Sequence, residues 1–182
     1  MRFKERIMNL VVAVDKNWGI GYQGTQTVVI PEDRVHFREI TTGGTVIVGR
    51  RTLADFPGGK PLKNRANIVM TRNREFSVPG AETAASLEEL FAKTEGVDPE
   101  KLFVIGGDSV YKLLLPYCAF AYVTKLYAEP EADRFIEDLD QSPDWELVES
   151  SPLKEHDGVS YAFMTYKNNR VRPMKEMAPD RA

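Results

Sequence analysis

Four short segments of the chain are apolar almost without interruption: Leu10–Val14, Thr45–Val48, Ala66–Met70 and Leu102–Ile105. Strands covered on both faces show this pattern, whereas a half-exposed strand alternates apolar with polar. Between them lie Pro31–Thr41, Arg51–Phe56 and Ser86–Thr94, each of which reads as a helix. Ser86 with Glu89 makes a capping box, and Gly96 stands where the third helix should stop. Strand–helix alternation of this kind predicts an α/β sheet, mostly parallel, with right-handed crossovers. The last third changes character. Phe120–Tyr127, Trp145–Glu149 and Ser160–Lys167 read as strands with only turns between them, and His156-Asp157-Gly158 supplies a turn signal, so an antiparallel extension is expected.

No internal repeat or interdomain linker interrupts the 182 residues, which favour one domain with a single core. Residues 1–7 read as a polar extension, 8–167 as the domain and 168–182, with two prolines and few apolar groups, as a disordered tail. With 24 basic and 27 acidic residues the net charge is −3, so neither nucleic acid nor an anionic membrane is attracted to the chain as a whole. No run approaches the ~18 apolar residues of a membrane span. The apolar stretch near the amino terminus contains Asn9, ends at Asp15 and has no small-residue cleavage site, so it is not read as a signal peptide. Cys118 stands alone, which excludes an intramolecular disulfide and fits the cytoplasm.

Gly19, Gly21 and Gly24 match G-x-G-x-x-G directly after a strand. A dinucleotide fingerprint needs a helix to open at the last glycines. Here Thr25–Pro31 follows, β-branched and closed by proline, so a glycine loop is the better reading. Two other junctions suit phosphate better. At Gly49 a strand delivers Arg50, Arg51 and Thr52 to a helix start, where an anion would explain two guanidinium groups; solvated surface charge explains them equally well. At Gly106-Gly107 a buried strand is interrupted before Asp108 and Ser109, leaving either a close approach for a ligand or a plain tight turn.

Asp33 follows Pro31 in a helix's first turn, where a carboxylate suits the dipole. Phe37 lies four residues on; were Asp33 to face inward beside it, the carboxylate would be desolvated, its pKa would rise and it could manage a proton. Arg65 is either surface charge or a bidentate carboxylate clamp. His36 and His156 lack acidic or cysteine companions at ligand spacing, so no metal site is expected. Neither a G-x-S-x-G elbow nor a framed cysteine offers a nucleophile.

The segments at 13–21, 30–42, 46–52, 61–73, 104–111 and 123–133, in order and in register, resemble the dihydrofolate reductase family from about Asn9 to Lys167. The resemblance implies NADPH as cofactor, dihydrofolate as substrate, and hydride transfer to pterin C6 with protonation of N5. It implies a single domain whose twisted, mainly parallel sheet has about eight strands, a carboxy-terminal antiparallel strand and flanking helices. Asp33 then corresponds to the pterin-binding carboxylate and Thr124 to the threonine that supports it. Val12, Ala13, Arg34, Phe37, Phe56, Leu62, Ile105 and Tyr111 would line the substrate, with Arg65 on its glutamyl carboxylate. Ala13, Ile20, Gly21, Gly49, Arg50, Arg51, Thr52, Thr71 and Arg72 would hold the cofactor, together with Ile105, Gly106, Gly107, Asp108, Ser109, Val110 and Tyr111. A cis Gly106-Gly107 bond and a monomer are expected. Ile20 and Gly21 would begin a loop that closes over the nicotinamide.

The chain also departs from the family pattern. Thr27-Val28 stand where the family has Pro-Trp, Gln26 replaces an apolar loop-tip residue, and Arg34 replaces a hydrophobic contact to the benzoyl group. Arg134 and Phe135 replace a threonine-aromatic pair. Two alternatives therefore stay open: a related reductase of the riboflavin-synthesis type, whose ribosyl-phosphate substrate offers Arg65 no glutamyl carboxylate, and a non-catalytic pterin or NADPH binder.

Overall fold

The computed structural model describes residues 6–175. Strand β1 (Met8–Val14) leads into β2 (Gly19–Gly21) and helix α1 (Pro31–Thr41), then β3 (Thr45–Gly49), α2 (Arg50–Ala54), β4 (Ala66–Met70), β5 (Glu82–Ala84) and α3 (Leu87–Lys93). There follow β6 (Leu102–Gly106), α4 (Asp108–Leu114), β7 (Cys118–Leu126), β8 (Arg134–Phe135), β9 (Trp145–Ser150), β10 (Lys154–His156) and β11 (Val159–Asn168). The main sheet runs β10-β11-β7-β1-β6-β3-β4-β5, with β9 also paired to β11. Pairing is parallel from β7 through β1, β6, β3 and β4 to β5, and antiparallel around β11. This is the expected single α/β domain, its parallel sheet extended by antiparallel strands.

The uninterrupted apolar runs are strands buried on both faces. Leu10, Val12, Val14, Ile47, Ile68 and Val104 enter one core cluster; Val11, Val46, Val48, Val69, Phe103 and Ile105 enter the other. Neighbours along a strand point to opposite sides, so each apolar run feeds two cores. Burying each such side chain stabilises the fold by about 1.5–3 kcal/mol. Ser86 caps α3, its hydroxyl accepting from Glu89 N at 3.1 Å. Glu89 returns its bond to Ala85 N (2.8 Å), one residue before the position a strict capping box would use.

The number of short strands and the carboxy-terminal stretch differ from the sequence expectation, while the turn at His156–Gly158 stands where it was expected. Strands β5 and β10 and the small β2–β8 sheet are additional, all of them short. The β10–β11 turn is built on Asp157 and Gly158, both at positive φ, so the turn signal belonged to a hairpin. The tail expected from 168 is corrected as far as Lys175. Asn168 ends β11, Arg172 N donates to Pro116 O (2.8 Å), Met174 N donates to Arg6 O (2.7 Å), and the Met174 side chain is 5% exposed in the first core cluster. Residues 176–182, and residues 1–5 of the expected amino-terminal extension, lie outside the described residues.

Candidate active site

Strands β6 and β7 flank β1, and the chain leaves β1 and β6 toward opposite sides of the sheet. Such a reversal opens a crevice at the carboxyl ends of the strands. Ala13, Gly49, Met70, Gly106 and Thr124 all lie at or near those ends.

Asp33 reaches the crevice from the first turn of α1, started by Pro31. Thr124 is fully buried on β7, directly opposite Ala13 of β1, and its hydroxyl donates to Asp33 Oδ1. Burial pushes the Asp33 carboxyl above its ordinary value; the Thr124 bond and the nearby His36 and Arg34 oppose that shift without cancelling it. His36 stacks on Phe163, ring centroids 3.9 Å apart, and burial holds its imidazole below the usual histidine range. Arg34 is exposed.

Phe37, Phe56, Leu62 and Ile105 are brought into one apolar cluster with Val11. Val12 faces the other side of β1, beside Val110 and Tyr111. Val11 is therefore the residue on the Phe37 side, and its carbonyl accepts from the buried Tyr111 hydroxyl at 2.7 Å. Burial raises the Tyr111 pKa far above the usual tyrosine range, which keeps that donor protonated.

Arg65 is oriented by neighbours that the sequence does not advertise. Its Nη1 donates to Thr41 Oγ1 (3.0 Å) and its Nε to Lys63 O (2.9 Å). The buried Asn67 side chain closes the preceding loop, accepting from Leu62 N and donating to the Leu62 and Arg65 carbonyls. Burial lowers the Arg65 pKa, and the charge of Arg38 on α1 lowers it further.

A groove of about 1310 Å³ runs along the other side of the crevice. Gly49, Arg50, Arg51 and Thr52 line it, with Thr71 and Arg72 after β4 and Gly107, Asp108, Ser109 and Val110 at the start of α4. The Gly106-Gly107 peptide is cis. A Cβ on Gly107 would stand 2.7 Å from Thr52 Oγ1, so only glycine lets the two walls approach. Arg50 lies over the Phe76 ring at 4.9 Å, and neither Arg51 nor Arg72 pairs with a carboxylate among the described residues. Arg134, absent from the expected set, also lines the groove.

No helix opens at Gly24, the next beginning only at Pro31, which excludes the dinucleotide fingerprint. Instead Gly19 and Gly21 lie in β2, where a Cβ on Gly19 would fall 2.4 Å from Asp15 Oδ2. Gln23 and Gly24, both at positive φ, form a tight turn closed by two backbone bonds between Tyr22 and Thr25. That turn is hooked to β8: Asp133 N donates to Gly21 O (2.9 Å), and Gln23 N donates to Asp133 Oδ2 (3.0 Å). Ile20 packs near Trp18, and Val28 packs near Ile30, Leu126 and Tyr161. No group of metal-ligating side chains occurs among the described residues, and none of their helices is long and apolar enough to cross a membrane.

Residues 7–168 match the family model for dihydrofolate reductase. The chain is 34% identical to the dihydrofolate reductase of Bacillus subtilis (strain 168) over 163 residues, covering 88% of this chain and 94% of that protein. It is 40% identical to that of Mycobacterium tuberculosis (strain H37Rv) over 121 residues, 66% and 71% of the two chains. Among solved structures, dihydrofolate reductase from Enterococcus faecalis, complexed with NADP(H), superposes with a TM-score of 0.79 at 30% identity, covering 90% of this chain and 96% of that one. A match over nearly the whole domain, joined to a half-buried carboxylate and an arginine-lined groove at the same end of the sheet, places this chain in the dihydrofolate reductase family.

Proposed function

We propose that this protein reduces 7,8-dihydrofolate to tetrahydrofolate with NADPH. One observation carries the reading: Asp33, the carboxylate raised by burial and held by Thr124, stands beside the apolar Phe37–Ile105 cluster. The groove's donors fit a phosphate-bearing dinucleotide, since guanidinium groups and the hydroxyls of Thr52, Thr71 and Ser109 converge along one channel. Arg50, Arg51 and Arg72 would hold its phosphates, and bound NADPH supplies the hydride.

The chain's own residues do the rest. Phe37, Phe56, Leu62 and Ile105 offer the pterin and benzoyl rings an apolar wall, and Arg65 offers a glutamyl carboxylate a guanidinium that Thr41 already orients. Asp33 hydrogen-bonds the pterin's amino and ring nitrogens, and its raised pKa keeps a proton available near N5 at higher pH than a solvated aspartate could. The turn at Tyr22–Thr25 is tied to Asp133; closed over the crevice, it would limit water. One chain assembles every residue of the site, so the working unit is taken as a monomer. The compartment is taken as the cytoplasm, in keeping with a lone buried thiol, Cys118.

The test is loss of 340-nm absorbance with purified protein, NADPH and dihydrofolate, run beside Asp33→Asn. Turnover that falls by about 100-fold or more in the variant at pH 7 is expected. Binding of both ligands without turnover would replace the enzyme by a binder. Indifference to dihydrofolate, with NADPH oxidised by a ribosyl-phosphate pyrimidine, would move the substrate to the other reductase class.

A further inference from the structure

We propose that Arg134 is a ligand for the cofactor's diphosphate, supplied by the strand to which the closing loop is tied. The proposal rests on the NADPH reading above and adds a residue that the family pattern, with threonine at this place, does not offer.

Arg134 opens β8, and its backbone stands in register with Gly21 of β2. Its side chain leaves that two-stranded sheet and lines the arginine groove beside Gly107, Asp108 and Ser109. The nearest carboxylate is Asp108, with 3.9 Å between Nη1 and Oδ2 and side chains 56% and 43% exposed. That separation is beyond hydrogen-bonding reach, and a pair so exposed holds little free energy. The five guanidinium donors are therefore lightly engaged at the edge of a channel built for an anion. A diphosphate presents paired oxygens that a guanidinium fork meets two at a time, and it outcompetes a distant, solvated carboxylate.

The position of Arg134 separates it from the groove's other cations. Arg50 and Arg51 belong to α2 and Arg72 follows β4, with Arg50 leaning on Phe76. Arg134 instead enters from the α4 side, where Asp108 would repel a phosphate that met no second cation. Exchange of Asp108 for diphosphate oxygens leaves the arginine held from both ends, by the ligand and by β8. The preceding residue, Asp133, carries both bonds that hook the Gly21–Thr25 turn. Dinucleotide binding thus also stiffens the strand to which that turn is tied, which couples cofactor occupancy to loop order.

The experiment is a calorimetric titration of the full chain with NADP⁺ at low and high salt, for the parent, Arg134→Thr and Arg134→Lys. A second pair of titrations uses adenosine 2′-monophosphate, which lacks the diphosphate, and folate in the absence of cofactor. Expected are NADP⁺ binding about 10-fold weaker in Arg134→Thr, partial recovery in Arg134→Lys, and a shallower dependence of affinity on salt. Adenosine 2′-monophosphate and folate should bind the variants as they bind the parent. Asp108→Asn, which removes the competing carboxylate, should tighten NADP⁺. Unchanged NADP⁺ affinity in Arg134→Thr would overturn the proposal while leaving the reductase reading intact. Equal weakening of all three ligands would overturn it too, since Arg134 would then only support the fold. A parent that binds no NADP⁺ would sink both readings together.

Discussion

Arg34 stands one residue beyond Asp33 on α1, exposed, where a hydrophobic contact to the benzoyl group is expected. Its charge opposes the upward shift of the Asp33 pKa, more weakly than the Thr124 bond and His36 do. Arg34→Leu should therefore move the alkaline limb of the kcat–pH profile to higher pH, since the protonated carboxyl survives longer, and should lower KM for dihydrofolate. A profile unmoved by the substitution would show that Arg34 does not reach the carboxylate through solvent. The same raised pKa has a stability sign. Between the unfolded and folded values of Asp33 the native state binds more protons, so stability falls as pH rises through that window and stays lower above it. Asp33→Asn removes the loss while its amide oxygen can still accept from Thr124; the variant should be the more stable protein at pH 7 and lose that advantage near pH 3, as urea denaturation at both pH values would reveal. Single residues were legible only in part. Asp33 and Thr124 are 91 positions apart, and only the resemblance joined them. Val11 and Val12 cannot be told apart in a strand buried on both faces, because both faces are apolar. Thr41 is an ordinary helix residue until Arg65 folds onto it.

Helix α1 was readable to the residue because Pro31 starts it and the polar Thr41–Gly44 stretch ends it, whereas β2, β5, β8 and β10 are too short for any period to show. What holds α1 over the crevice was not readable, since it comes from β10 and β11. Tyr161 OH donates to Glu32 Oε2, Lys154 Nζ lies 3.4 Å from Glu32 Oε1, and Phe163 stacks on His36. Phe163 is also the residue opposite Thr124 in the β11–β7 register. The hairpin therefore grips the helix on either side of Asp33, at positions 32 and 36, while its neighbouring strand supplies the threonine. The Glu32 bond pushes the Tyr161 phenol up to about 12, which keeps this donor protonated at neutral pH. Tyr161→Phe keeps the ring and removes the grip. It should lower kcat by about 5-fold through a loosened carboxylate, with NADP⁺ affinity unchanged, because the cofactor groove is lined from α2, α4, β8 and the segment after β4 instead. Steady-state kinetics beside a cofactor titration would separate the two; loss of both together would mean that the hairpin supports the whole sheet.

Over the whole molecule, the site gathers at the carboxyl ends of the parallel strands and the two ends of the described segment meet at the other end. Arg6 precedes β1, Met174 follows β11, and they share a backbone bond of 2.7 Å. Between them the Met174 side chain enters the main core beside Thr94, whose hydroxyl lies 3.8 Å from Sδ. The carboxy-terminal stretch read as a tail because its apolar residues are few and without period, and a single anchoring methionine leaves no pattern to detect. The sheet, by contrast, was legible as an architecture because its strands announce double-sided burial one by one. A closure made at the end of the strands remote from the crevice should govern stability without governing chemistry. Met174→Ala leaves a cavity in a packed core and should cost about 3 kcal/mol, a fall in Tm of about 6–12 °C for a chain of this size. At 25 °C the folded variant should keep the parent's KM for dihydrofolate and its affinity for NADP⁺, because no element of the crevice has moved. Calorimetric melting beside those two measurements decides the matter: a shifted KM at unchanged Tm would mean that the terminal closure reaches the site, whereas a lower Tm alone would assign Met174 to the fold.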